Sequence, residues 1–197
     1  MKKSLFSLLF ACAAIIMMSF TGGEGTFKLN AGASNAHWKG YKVTGAHDGD
    51  VKFKGGELTF DAAGNLTGGN FEVDMASMKC TDLTGEYGDK LIGHLKAADF
   101  FNTDKYPTAK FVITKTVYQG KGQTRVIGNM TIKEVTKEVR FVAYTGEKDG
   151  MMTADCFIKL DRTDFGVTYG SGSITAGLFD KTIYDEFDLD IKLKASK

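Results

Sequence analysis

Apolar and polar residues alternate in short runs along most of this chain, and glycine-rich turns separate the runs. Val51 and Phe53 fall between Asp50, Lys52 and Lys54, and Phe71, Val73 and Met75 alternate with Glu72 and Asp74. Successive side chains of a strand point to opposite faces, so each such run predicts a strand with one dry side. The same reading places a first strand over 34–43 containing Trp38, a turn over 44–49, a second turn at Gly55-Gly56, a dry pair at Leu58 and Phe60, and a loop over 61–65. Further strands are expected over 109–118, through Val126, Met130 and Ile132, through Val139, Phe141 and Ala143, and through Ala154, Cys156, Ile158 and Leu160. Turns at 120–122, 134–137 and 146–150 join them. After a loop of small residues over 171–181, Ile183, Phe187, Leu189, Ile191 and Leu193 give the cleanest alternation of all.

One segment breaks the period. Between Thr81 and Ala98, Tyr87, Leu91 and Leu95 recur every fourth residue with Ile92 beside them, which predicts a short amphipathic helix. Pro107, the single proline, then stops the connection before Phe111 enters the next strand. Eight or nine strands joined by hairpin-length turns predict an all-β fold with one short helix. An antiparallel sheet of this size curls until its edges are paired, and an eight-stranded β-barrel has an interior just wide enough for side chains or one small ligand. A sandwich is the structural alternative.

Composition agrees, since 24 glycines against one proline, with 12% aromatics, suit strands and tight turns better than a helical bundle. Lysines and arginines number 25 against 24 acids, so the basic footprint that a phosphate backbone demands is missing and nucleic acid is not expected as a partner. The beginning of the chain differs from the rest. Lys2 and Lys3 precede an apolar run from Leu5 to Met18, followed by Ser19-Phe20-Thr21-Gly22-Gly23, the pattern of an export signal. We therefore expect a signal peptide over 1–21, a single domain over 22–197, and a periplasmic or secreted location. The apolar run is shorter than the ~20 residues that span a bilayer, which makes an uncleaved anchor the lesser reading. Leu9-Phe10-Ala11-Cys12 bears a loose likeness to a lipoprotein processing site, weakened by the bulk of Phe10 and by the apolar run that continues past Cys12. Loss of the leader lysines takes the formal net charge from +1 to about −1. Cys80 and Cys156 then form an even pair in an oxidising compartment, and a disulfide between them stays open. Against it, Cys156 shares a dry face with Ile158 and Leu160, where a free thiol packs as a small apolar group.

His94-Leu95-Lys96-Ala97-Ala98-Asp99-Phe100-Phe101, continuing to Tyr106-Pro107-Thr108-Ala109-Lys110-Phe111, resembles the signature of the YceI family of exported polyisoprenoid-binding proteins. Thr44-Gly45-Ala46-His47-Asp48-Gly49, the stretch from Gly128 to Lys137, and Arg162-Thr163-Asp164-Phe165-Gly166 support the match in the family's order, and the resemblance covers roughly 27–195. Two departures stand out: Glu134 occupies a hairpin position where the family usually has glycine, and Lys90-Leu91-Ile92-Gly93 replaces a more charged approach to His94. The resemblance implies an antiparallel eight-stranded lipocalin-like β-barrel around the tail of a polyisoprenoid, a quinone-like lipid or another long-chain amphiphile. It implies no cofactor for chemistry and transient membrane contact for lipid exchange; a homodimer stays open.

On this reading the candidate ligand-binding residues are Trp38, His47, Phe71, His94, Phe100, Phe101, Phe111, Arg162 and Phe165. Phe100 and Phe101 follow the helix and suit either a lid over the barrel mouth or plain packing of helix on sheet. Phe53, Phe71, Phe111, Phe141, Phe157 and Phe187 present the same choice, and each taken alone reads first as core. His47 and His94 suit hydrogen bonding to a lipid head group or to the protein itself. A zinc site from His37, His47 and His94 lacks close ligand spacing, so no metal is expected. The guanidinium of Arg162 offers a fork of donors to an anionic head group such as a pyrophosphate, with a surface pair to Asp161 or Asp164 as the plainer role. Nucleophile elbow, HExxH, CxxC and phosphate-loop patterns are all missing, which favours a binding protein over an enzyme. The rivals are an enzyme acting on an isoprenoid or quinone head group, and an envelope stress or interaction protein whose barrel holds only its own side chains.

Overall fold

The structure, a computed structural model, describes residues 24–197. The signal peptide expected over 1–21, with Cys12, lies outside the described residues. Nine strands and one helix follow in order: β1 (Gly25–Leu29), β2 (Asn35–Lys42), β3 (Gly45–Phe60), β4 (Leu66–Cys80), α1 (Gly85–Lys96), β5 (Thr108–Gly120), β6 (Gln123–Ile132), β7 (Val135–Lys148), β8 (Met151–Asp161) and β9 (Ile183–Ser196). Each strand from β2 to β9 pairs antiparallel with the next, and β2 also pairs with β9, so the meander closes into a barrel. β1 adds no separate position to the ring. It pairs with the end of β3 and the end of β9, in line with β2, and the two form one broken stave around the turn at 30–34. The barrel therefore has eight staves, and closure pairs the edges that an open sheet would expose.

Alternation decides what faces inward. Along β6, Thr124, Val126, Gly128, Met130 and Ile132 are buried while the residues between them are not. On β8 the same rule buries Met152, Ala154, Ile158 and Leu160 and turns Phe157 outward, 59% exposed, so Phe157 leaves the group of core phenylalanines. Tyr87 likewise turns away from the barrel, whereas Ile92 and Leu95 of α1 pack on the core. One helical face cannot hold residues 87, 91, 92 and 95 against a narrow opening, and the first turn is the one that projects past it.

Two expected turns lie inside strands. The β2–β3 reversal is at 43–44, so His47 and Gly49 belong to β3. Gly55-Gly56 does not reverse the chain at all: β3 passes through it, and a Cβ on Gly56 would fall 2.4 Å from the Asn70 carbonyl and 2.8 Å from the Phe71 ring. Glycine here permits close approach of neighbouring strands. The β6–β7 hairpin turns on Lys133 and Glu134, with φ of 50° and 63°. That is a tight two-residue turn with both central residues left-handed, the geometry that favours Asn-Gly, achieved here without glycine. Cys80 and Cys156 are both free. Burial, then the charges of Asp155 and Asp190, push the Cys156 thiol up to about 12.

Left-handed backbone costs a non-glycine residue roughly 1–2 kcal/mol. Glu134→Gly is expected to raise the unfolding free energy by about 0.5–1 kcal/mol, after the extra entropy of glycine in the unfolded chain is subtracted. Urea denaturation of the two proteins measures it, and an unchanged or lower midpoint at equal slope contradicts this account of the turn.

Candidate functional site

The two ends of the barrel are built differently. At the end formed by β1, the close of β3 and the close of β9, Phe27, Leu58, Phe60, Leu66 and Val126 fill the interior. At the other end the inward positions leave a cavity of about 320 Å³. Its walls are mostly apolar. Val51, Val73, Met75, Met130, Leu189 and Ile191 contribute, with Trp38 lying against Gly49, where a Cβ would come within 2.6 Å of the indole. The Trp38 indole N–H is buried and has no acceptor among the described residues. Met75, Met78 and Met130 were not singled out from the sequence; unbranched thioethers fill irregular space and adapt to varied ligands, and three of them face one cavity.

α1 and the segment after it lie across this mouth. Leu91, His94 and Leu95 reach the cavity from the helix, and the chain then folds back on itself through Asn102, whose φ is 49°. Amides of Phe101, Asn102 and Thr103 donate to the carbonyls of Leu95, Ala97 and Lys96, and the Met75 amide donates to the Pro107 carbonyl before β5 begins. Phe100 is 5% exposed, with its ring 5.2 Å from Phe101 and 5.7 Å from His94. Both phenylalanines line the cavity.

Two cations fasten this segment. Lys133 Nζ donates to the Phe100 carbonyl at 2.8 Å and to the Gly166 carbonyl at 3.3 Å. Arg162 stands in the short 3₁₀ turn Arg162–Phe165 with its guanidinium carbon 5.6 Å from the Phe100 ring centre. The three motif stretches that follow α1 thus meet at one clasp. Lys133 gave no signal in the sequence beyond its place in a hairpin.

Arg162 corrects an expectation. It forms no surface pair with Asp161 or Asp164: the side chain is 3% exposed and donates to the carbonyls of Tyr184, Val167 and Ile183 and to Asp185 Oδ1. Burial lowers its pKa, against the opposing charges of Asp185 and Asp161. Four of its five N–H donors are committed to the protein, which leaves one for anything in the mouth.

The sequence candidates therefore divide. Trp38, His47, His94, Phe100, Phe101 and Arg162 are brought together on the cavity. Phe71, Phe111 and Phe165 are not: all three are buried in the core outside its lining. The histidines hold separate carboxylates, His37 with Asp50 at 2.9 Å, His47 with Asp82 at 2.8 Å and His94 with Asp99 at 3.4 Å. Among the described residues no group of three or more His, Cys, Asp or Glu is placed to hold a metal ion.

His47 owes its position at the rim to Asp82. Desolvation pushes the Asp82 carboxyl up, but hydrogen bonds from the Cys80 thiol, the His47 ring and the Asp48 amide, with the charge of His47, outweigh it and hold the pKa at about 2. A folded-state pKa below the unfolded 3.8 gives stability that is complete above that value and is lost as pH falls through about 2. Asp82→Asn is expected to shrink the difference between unfolding free energies near neutral pH and near pH 2.5 by about 1–2 kcal/mol, allowing for solvent screening. Denaturant titrations of both proteins at the two pH values test this, and an unchanged difference refutes the assignment.

Known proteins share this architecture. The YceI-like domain family model matches residues 27–195. A UPF0312 protein of Vibrio cholerae is 30% identical over 145 residues, 71% of each chain, and one of Pseudomonas putida is 30% identical over 158 residues, 76% of this chain and 73% of that one. A UPF0312 protein of Shewanella denitrificans is 37% identical over 90 residues, which span 44% of its length. Among solved structures, BcnA of Burkholderia cenocepacia superposes with a TM-score of 0.71 at 22% identity, covering 85% of this chain and 99% of BcnA. A polyisoprenoid binding domain from Saccharophagus degradans, implicated in plant cell wall breakdown, gives 0.62 at 13% identity, with 86% and 97% covered. These two likenesses concern the fold, and the family follows from the match over nearly the whole described chain: the protein belongs to the YceI-like family.

Proposed function

We propose that the barrel takes one long apolar tail, of a polyisoprenoid or a similar amphiphile such as an isoprenoid quinone, through the end crossed by α1, and keeps it from water for transport, storage or sequestration. The observation that carries this reading is the cavity itself: apolar along its depth, polar only at its rim, and placed at one end of a barrel whose other end is filled. Burying a tail there removes about 0.8 kcal/mol of unfavourable hydration per methylene, before ordering costs. The polar head then sits among His47, His94 and the remaining donor of Arg162. The polyisoprenoid binding domain of Saccharophagus degradans, with the same fold, lends support. An export signal in the first residues fits a carrier acting outside the cytoplasm, and exposed Ile174 and Phe179 on the loop leading to β9 suit brief contact with a membrane during exchange. The role needs binding alone and no cofactor.

Trp38 is the only tryptophan and lines the cavity, so its emission reports occupancy directly. Organic extraction of the purified protein followed by mass spectrometry is expected to recover a long-chain lipid, and adding a prenyl alcohol to the extracted protein is expected to shift Trp38 emission saturably. Extracts without lipid from several preparations, together with flat emission for prenols, quinones and fatty acids alike, overturn the proposal.

A further inference from the structure

The cavity stops short of the barrel's far end. Below its lowest wall residues lies a layer of aromatic rings. Phe71 on β4 and Phe111 on β5 are direct cross-strand partners. Phe53 sits edge-on to Phe71 at 6.3 Å, and Phe141 lies tilted against Phe111 at 5.5 Å. Phe53 shows one face to the cavity; Phe71, Phe111 and Phe141 lie outside its lining. Beyond them Leu58, Phe60, Leu66, Val126 and Met152 are at most 3% exposed, so the interior there is solid.

Two glycines seat the central rings. A Cβ on Gly56 would fall 2.8 Å from Phe71 Cδ1, and one on Gly128 would fall 2.4 Å from Phe111 Cζ. Each ring rests on bare backbone across the neighbouring strand, which fixes its plane and its height in the barrel.

We infer that these four phenylalanines form a length gauge that sets how much of a ligand tail the barrel can enclose, a reading that rests on the proposed lipid-binding function. A cavity of about 320 Å³ that ends on a packed floor encloses a tail of limited length. A longer tail leaves its surplus outside the mouth, where each added unit gains nothing from the barrel.

The gauge is open to change from both sides. Phe111→Ala removes a six-carbon ring, about one isoprene unit of volume, and lowers the floor. Ala109, a cavity-wall residue on β5 paired with Val73, offers the reverse: Ala109→Leu adds three carbons to the wall two residues from Phe111 and fills space above the floor.

Competition of prenyl alcohols of two to eight isoprene units against a fluorescent prenyl probe reads the limit. In the unaltered protein, affinity is expected to rise at least about tenfold per unit while the tail is being buried, then level off at a break point before eight units. Phe111→Ala is expected to move that break point up by one unit and Ala109→Leu down by one. Phe111→Leu replaces the alanine variant if that one fails to fold, with a smaller upward shift expected. Affinity that climbs without a break to eight units, or a break point unmoved in the folded variants, overturns the gauge while leaving lipid binding intact. Failure of every prenol and of the probe itself to bind removes the function on which the gauge rests.

Discussion

Everything above the waist of this barrel depends on the seating of phenylalanine rings on glycine backbone. An eight-stave barrel has an interior that side chains can fill completely, and a cavity exists in it only where something stops the packing from closing. Phe71 over Gly56 and Phe111 over Gly128 provide that stop. Below them, small and large residues interdigitate into a dry core. Above them, methionines and branched aliphatics line a wall with no partner on the far side, and their lost dispersion contacts are what an apolar ligand would restore. The same chain thus divides its hydrophobic residues between holding the fold and leaving room.

The mouth obeys another rule. A helix laid over a barrel end brings polar backbone to an apolar opening, and its last carbonyls need donors. The returning chain after α1 supplies some, through the amides of Phe101, Asn102 and Thr103. Lys133 reaches over from the β6–β7 hairpin to the Phe100 carbonyl, and Arg162 gathers three carbonyls at the start of β9 and just past its own turn. Buried cations normally need paired anions; here Asp185 supplies one carboxylate and carbonyl dipoles do the rest.

Much of this was legible from period alone. The strand faces, the helix, and the closing alternation of β9 all follow from which residues recur at two and which near four. Faces went astray where a rule was applied to a residue type and not to a position: Phe157 lies between Cys156 and Ile158 and so points outward however aromatic it is. Gly55-Gly56 read as a turn because a glycine pair looks the same whether the chain reverses or another strand comes close. Periodicity also cannot separate Phe71 and Phe111 from Val73 and Met75, because all four face inward and depth along the barrel depends on register between strands. The burial of Arg162 had no sequence signal at all, since its acceptors are mainly carbonyls, which every residue has.

The clasp at Phe100 bears on what the family's sequence signature means. Three of its stretches meet there: Lys133 of the hairpin donates to the Phe100 and Gly166 carbonyls, and the Arg162 guanidinium lies against the Phe100 ring while its own hydrogen bonds go to Val167 and to the start of β9. The longest stretch of that signature does not end at the mouth: it runs on into β5 through Ala109 and Phe111, and Gly128, against which the Phe111 ring rests, opens the hairpin stretch. The residues by which kinship is recognised therefore tie the mouth of the cavity to its floor, so a change at either end is felt through one continuous piece of chain.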